Sequence, residues 1–377
     1  MDHRQSIFAT LVCVLLGFGT LMVYSSSITS WPTEFENVYL SRHIVFLAIA
    51  VATGMVCAAL PKHFWFAVAP YLFWGTMLLL VAVLIPGIGT RVNGAQRWLR
   101  IGTLSMQPSE LAKIALPLFI CRMICQRKEH LSHWWRGTLP LVAPVLILLP
   151  LTLLQPDLGT SLFLACGCAI ALFLGGWPIR NFVVSGAAAV PVLAGLLAAS
   201  PYQLRRVTGF LSAISDWNEA PYQLKQSLIS LGAGGVLGVG LGRGWQKLSF
   251  LPEANTDFVY AVVGEELGLV ATLGLLAVWA VLFCSGWRML SHLDRHDFAW
   301  LASFTLLVQV VLQAGLNMAV VTALVPPKGI PHPLVSYGGS NLVVTVAALG
   351  IIIGLSRSVE SCVAADAAEP SNPNAAV

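Results

Sequence analysis

Asp257, Glu265 and Glu266 crowd one stretch of this chain, Leu251-Pro-Glu-Ala-Asn-Thr-Asp-Phe-Val-Tyr-Ala-Val-Val-Gly-Glu-Glu-Leu-Gly268. Only 17 of 377 residues are acidic, so this concentration asks for a reason. Asp257 stands where a polar loop meets an apolar run, and the two glutamates follow about two helical turns later. A carboxylate at such a boundary can take a proton from an attacking hydroxyl. Cations that could answer it recur in neighbouring polar stretches: Arg97, Arg205, Arg206 and Lys247. Cations stabilise phosphate oxygens and a developing anionic leaving group. An anionic substrate carried on a lipid suits that combination.

The elements that must position these residues are membrane helices. The chain is 57% hydrophobic and 10% charged, with mean hydropathy +0.78, which excludes a soluble domain. Long apolar runs recur throughout, and the short alternating segments of a transmembrane barrel are missing. A net charge of +4 and the lack of a basic-aromatic module exclude nucleic acid as a partner. Ten apolar segments read as spans: 7–27, 42–60, 64–85, 109–125, 138–154, 158–177, 181–199, 258–283, 298–323 and 342–355. The fold class expected is therefore all-α and polytopic, with both termini on one side. Placing the N-terminus inside puts ten Lys and Arg on inner segments against five on short outer ones, so the positive-inside rule favours N-in and C-in. Residues 1–360 form one membrane domain. The long outer loop, about 200–257, lies between the seventh and eighth helices, and its Trp217, Tyr222 and apolar 228–231 argue for order. Residues 361–377, rich in Ala, Pro and Asn, read as a disordered tail.

Other polar features are fewer. Ser109 can cap the fourth helix, with Glu110 in its first turn and Lys113 facing Glu110 at i,i+3. A charged pair inside a span is costly and marks either function or packing. Asp157, in Gln155-Pro-Asp-Leu-Gly-Thr160, reads as a cap in a tight turn. The glycine run 232–244 has no strand–helix unit around it, so close backbone packing is expected rather than nucleotide binding. His130/His133 and His292/His296 read as solvated or headgroup-facing side chains, and the eight cysteines as apolar filler without disulfides. The Pro- and Gly-dense stretch 325–340 reads as a rigid cavity wall, because irregular backbone at membrane depth needs cover.

At these same stretches the chain resembles the SEDS family of FtsW, RodA and SpoVE. The resemblance rests on Asn93-Gly-Ala-Gln-Arg-Trp98, Gln107-Pro-Ser-Glu-Leu-Ala-Lys113, Gln155-Pro-Asp-Leu-Gly-Thr160, Leu251-Pro-Glu with Thr256-Asp-Phe258, Gly264-Glu-Glu-Leu-Gly268 and Ser336-Tyr-Gly-Gly-Ser340. Gln246-Lys247, Gly264-Glu-Glu and Pro327-Lys-Gly329 are more similar to the FtsW and SpoVE side than to RodA.

The resemblance implies a ten-helix peptidoglycan glycosyltransferase of the bacterial cytoplasmic membrane. It would polymerise lipid II on the outer face, beside a class B penicillin-binding transpeptidase and other division or elongation proteins. Asp257 stands where the family carries its essential aspartate, and Arg97, Trp98, Glu110, Lys113 and Lys247 fall on motif positions. Asn255, Tyr260, His332 and Asn341 depart from the usual pattern. Asp257 is then the expected general base on the acceptor 4-hydroxyl. Arg97, Lys247 and Arg205 or Arg206 would neutralise the pyrophosphate, with a divalent cation (Mg or Mn) as the one cofactor considered. Ser336 and Tyr337 complete the expected substrate-facing set, while Glu110 and Lys113 would shape a lipid cavity. Glu265 and Glu266 are expected deeper in the eighth helix, bonded to neighbouring helices. Two alternatives stand beside a division-specific polymerase: a lipid II flippase, and the same polymerase serving elongation.

Overall fold

The computed structural model describes residues 2–27, 34–92, 95–102, 104–199, 201–248 and 250–357; the expected 361–377 tail lies outside them. A helix occupies each of the ten expected span positions: α1 (His3–Ser27), α2 (Glu34–Ala59), α3 (Lys62–Leu84), α4 (Pro108–Gln126), α5 (Leu139–Leu154), α6 (Leu158–Leu174), α7 (Ile179–Ala199), α10 (Val259–Leu290), α11 (Phe298–Val321) and α12 (Gly339–Ser356). The long loop supplies two more, α8 (Pro201–Ser215) and α9 (Tyr222–Gly234). Among the described residues, seven helices are long and apolar enough to cross a membrane, while Leu158–Leu174 and Ile179–Val192 are apolar but shorter. Helix α4 carries Glu110, Lys113 and Arg122 in its 19 residues, and it is buried along most of its length.

One expectation of fold class needs correcting. The connection between α3 and α4 is not plain loop but a three-stranded antiparallel sheet, β1 (Gly89–Val92), β2 (Ala95–Ile101) and β3 (Leu104–Met106), in that order. Gly89 pairs with Leu99, and Leu99 with Met106. Three strands this short stand only when anchored to something larger. The Gln96 amide does this by donating to the Val83 and Ile85 carbonyls at the end of α3, at 2.9 and 3.1 Å.

Helices α4, α11 and α12 run through the middle of the bundle, with α2 packed along α12. That pair meets through small residues. A Cβ on Gly350 would lie 2.3 Å from the Gly54 carbonyl oxygen, so the two backbones touch directly, as small residues allow in membrane helices. Helix α7 has almost only exposed side chains among those described. The start of α1 meets the ends of α12 and α10: Gln5 Nε2 donates to Ser356 Oγ at 3.2 Å, and Arg4 donates to the Arg288 carbonyl near the end of α10. Asp257 precedes α10 and so lies at the other end.

Helix α10 reaches Leu290, beyond the expected 283, and is broken once. Gly268 has φ 76° and ψ −171°, a region essentially restricted to glycine. A Cβ there would come within 2.4 Å of Gly238 N and Val236 O. The break frees backbone groups that lipid could not satisfy, and the glycine run supplies their partners. Leu269 and Val270 donate to the carbonyls of Gly235 and Val236, while Glu265 and Glu266 carbonyls accept from Val239 and Gly240. This is the close backbone packing expected of those glycines.

Candidate active site

Asp257 closes a turn that begins at Glu253. The Glu253 carbonyl accepts from Thr256 and Phe258 N–H, and its carboxylate accepts from Thr256 Oγ1 at 2.9 Å. The turn is stapled from below by the Pro-rich segment. Tyr337 N–H donates to Asn255 O at 2.8 Å, and Ser336 Oγ–H donates to Thr256 O. Asn317 of α11 donates to Asp257 O at 2.7 Å and to Ile330 O at 2.8 Å. The 330–336 stretch is almost wholly buried and hydrogen-bonded, as a rigid wall should be.

The Asp257 carboxyl is half-buried, and burial pushes its pKa from the ordinary carboxylate range up to about 7. The negative charge of Glu253 adds to the rise, Arg206 opposes it, and Asp157 raises it slightly. These charges therefore surround the carboxyl, although they come from distant parts of the chain. Gly329 closes in from the Pro-rich segment: a Cβ there would sit 2.9 Å from Asp257 Oδ2. Lys328, next to it, has its pKa lowered by burial.

Asp157 and Arg97 hold a neighbouring corner. As expected, Asp157 caps α6, accepting from Thr160 N at 3.1 Å and Thr160 Oγ1 at 2.8 Å. Arg97 on β2 donates from Nε to Gln155 O at 2.7 Å and from Nη2 to Pro156 O, and Nη1 lies 3.5 Å from Asp157 Oδ2. Much of its guanidinium is thus committed to the 155–157 turn, which corrects the picture of an arginine held ready for phosphate. Trp98 follows on β2, half-buried opposite Thr90. Ser340 Oγ accepts from Gln107 N and donates to Ser105 O, tying the sheet to the start of α12.

Glu110 and Lys113 form the expected i,i+3 pair at 2.8 Å, both buried. Lys113 also donates to Gln313 Oε1 at 3.2 Å and lies 5.3 Å from the centre of the Phe163 ring. Gln313 in turn donates to Pro331 O and Asn341 Oδ1, both at 3.0 Å. Beside the pair lies a small groove of about 20 Å³, lined by Lys113, Phe163, Gln309, Gln313, Val344 and Thr345 among others.

Lys247, expected to face a pyrophosphate, has a different place. Its side chain is 0% exposed and 2.6 Å from Glu266 Oε1, which is equally buried. It also donates to Ser25 O at 2.7 Å. Glu266 accepts from Ser25 Oγ and from Gly242 N–H, while Glu265 accepts from Trp245 and Gln246 N–H. Among the described residues the two glutamates therefore hold the end of the glycine run and the residues just after it, and Ser25 on α1 is the one partner they take from another helix. The reason is the break at Gly268, which brings the run to the end of the half-helix that carries them.

Ser336 is likewise spent on structure, 2% exposed with its Oγ between His332 N and Thr256 O. Tyr337 is half-buried, its ring 6.3 Å from His43. Arg206 on α8 is half-buried, reaching Pro327 O at 3.4 Å, and Arg205 is exposed beside it. Sequence reasoning passed over Asn317, Gln313 and Gly329. The available signal was two polar amides one turn apart in an apolar helix, expensive unless paired.

Known proteins point the same way. The FtsW/RodA/SpoVE family, described as cell cycle protein, matches residues 5–361. A probable peptidoglycan glycosyltransferase FtsW of Saccharophagus degradans is 37% identical over 356 residues, covering 92% of this chain and 90% of that one. A protein of the same description from Trichlorobacter lovleyi is 36% identical, covering 94% and 93%. Among solved structures, a chain from work on polymerization and crosslinking by a peptidoglycan synthase complex superposes with TM-score 0.75 at 26% identity, covering 93% and 96%. The rod shape determining protein RodA of Thermus thermophilus superposes with TM-score 0.67 at 27% identity, covering 93% and 95%. A match over nearly the whole length, with its motif stretches gathered at one end of the bundle, makes this chain a member of the FtsW/RodA/SpoVE family.

Proposed function

We propose that this protein is a peptidoglycan glycosyltransferase of the division branch, polymerising lipid II at the end of the bundle that carries Asp257. The observation that carries the mechanism is a half-buried carboxyl poised near neutrality, on a turn held by α11 and by the Pro-rich segment. A general base works best when its pKa lies near the operating pH. Asp257 takes the proton of the acceptor 4-hydroxyl as that oxygen bonds to the anomeric carbon of the growing glycan. The bond to undecaprenyl pyrophosphate breaks with inversion, and the pyrophosphate leaves with the electron pair. Arg206 and Arg205 are the cations best placed to receive it. Arg97 acts mainly by shaping the Asp157 corner, and Lys247 by holding the glycine run.

Ten crossings, with both termini in the cytoplasm and the Asp257 end outside the cytoplasmic membrane, accord with the ten helix positions and with the start of α1 lying against the end of α12. A divalent cation finds no protein cage: among the described residues no three His, Cys, Asp or Glu side chains group to hold one. Magnesium bound through substrate phosphates needs only one or two carboxylates, and Asp257 or Glu253 could offer that much. A crosslinking transpeptidase is the natural partner, since the solved relative belongs to a complex that joins polymerization to crosslinking.

The test is the pH dependence of polymerisation with purified protein and lipid II. The base must be ionised, so kcat/KM should rise about tenfold per pH unit below the free-enzyme pKa and level off above about 7, where burial has placed the carboxyl. A flat profile from roughly pH 5 to 8 would remove Asp257 from this role. Protein that moved labelled lipid II between leaflets but formed no polymer would make it a flippase. Filamentous cells on depletion would mark division, and rounded cells elongation.

Gly329→Ala offers a second check. Its methyl group would press on Asp257 Oδ2 and push the carboxylate out of line, and displacement by about 1 Å can cost on the order of a hundredfold. A fall of at least roughly tenfold in kcat, with melting temperature unchanged, is expected. Wild-type kcat would mean the carboxylate does not work from this position.

A further inference from the structure

The hydrogen bonds behind Asp257 run in one direction. His332, 0% exposed, accepts at Nε2 from the Trp279 indole N–H at 3.0 Å. An indole nitrogen only donates, so the His332 proton sits on Nδ1. That N–H faces Asn317 Oδ1 at 3.1 Å and donates to it. With its oxygen occupied, the Asn317 amide presents both N–H groups to the carbonyls of Asp257 and Ile330. The main chain of His332 joins in, donating to Ser336 Oγ, which donates to Thr256 O. Turning the Asn317 amide over would set donor against donor at His332 and acceptor against acceptor at both carbonyls.

We infer that Asn317 and His332 are positioning residues for the glycosyl transfer, locking the peptide carbonyl of Asp257 and thereby setting how far its carboxylate reaches into the site. The inference rests on Asp257 as the base. Neither residue needs to meet substrate, since both act through the backbone of the Asp257 turn. Trp279 anchors the lock in α10 and Asn317 anchors it in α11, so two helices define one carbonyl position. A simple core role would need only the ring's volume, between Tyr260 at 6.3 Å and Trp279 at 5.7 Å. The geometry uses every polar atom of that ring as well.

The experiment measures steady-state polymerisation of lipid II by purified full-length variants. Asn317→Ala and His332→Leu should each lower kcat roughly 10- to 100-fold, with KM for lipid II within about twofold. His332→Gln can still accept from Trp279 and donate to Asn317, and it should recover most of the loss. Added to Asn317→Ala, His332→Leu should cost nothing further, because both act through one clamp.

The inference is overturned if either folded single variant turns over at a native rate, if the two losses multiply, or if His332→Gln is as impaired as His332→Leu. The last result would leave only packing. Trp279→Phe, which keeps an aromatic ring edge-on to His332 and removes one N–H, should show a smaller fall in kcat; it keeps the test open should Asn317→Ala not fold, and a native rate would count against the lock. Asp257→Asn run alongside separates the two ideas. An active Asp257→Asn protein sinks the base, whereas an inactive one beside a normal Asn317→Ala sinks the clamp alone.

Discussion

Asp257→Asn is expected to abolish polymer formation by a protein that folds as well as the native one. Removing a positioned general base costs about 10²- to 10⁴-fold, and the two neighbouring carboxylates already have partners. Glu253 is tied to Thr256, and Asp157 is held by Thr160 and Arg97. Asparagine keeps the size of the side chain and the backbone carbonyl that Asn317 grips, so the turn should survive. The stability effect has a definite sign. The folded protein binds the Asp257 proton more tightly than the unfolded chain does, because the pKa rises from 3.8 to about 7. That stabilisation is complete in acid and is lost as pH rises through about 7. A neutral amide avoids the loss, so above neutrality the variant should melt at or above the native temperature. Reduced melting together with lost activity would mean Asp257 holds the fold rather than the reaction.

The second large effect lies in the Lys247–Glu266 pair. Both side chains are out of contact with solvent, where removing one partner leaves an uncompensated charge at a cost of about 3–5 kcal/mol. Lys247→Met should therefore lower the melting temperature of detergent-solubilised protein sharply, and Glu266→Gln should do the same. The double variant should recover a good part of the loss, since a neutral pair leaves no charge stranded. Recovery will be incomplete because Glu266 also accepts from Ser25 Oγ and Gly242 N–H. If Lys247→Met instead kept native stability and lost only affinity for lipid II, the lysine would be facing substrate after all. The cost is large because this pair closes the seam between the break in α10, the glycine run and α1.

Much of this protein can be read from its residues in order. Uninterrupted apolar runs can be satisfied in lipid only by helices, so composition alone placed a helix at each of ten positions. Local spacing was enough for Glu110 with Lys113, one turn apart, and for Asp157 as a cap three residues from Thr160. Asp257 stood out because an acid at the mouth of an apolar helix is rare in so uncharged a chain. The small sheet escaped notice because its strands are short and their pattern carries little signal.

What remained belonged to tertiary structure, and for one physical reason. Sequence pattern reports whether a residue faces apolar surroundings, but not which distant group satisfies it. Lys247 looks like a free loop cation until Ser25, 222 residues away, and Glu266 are seen to enclose it. Arg97 looks ready for phosphate until the carbonyls of Gln155 and Pro156 take up its N–H groups. His332 looks like a stray departure until Trp279 on one side and Asn317 on the other fix its proton. The chain itself determined a helical membrane protein with one acid of consequence at Asp257. Only the fold decided what holds that acid in place, because its partners come from segments that meet nowhere but in three dimensions.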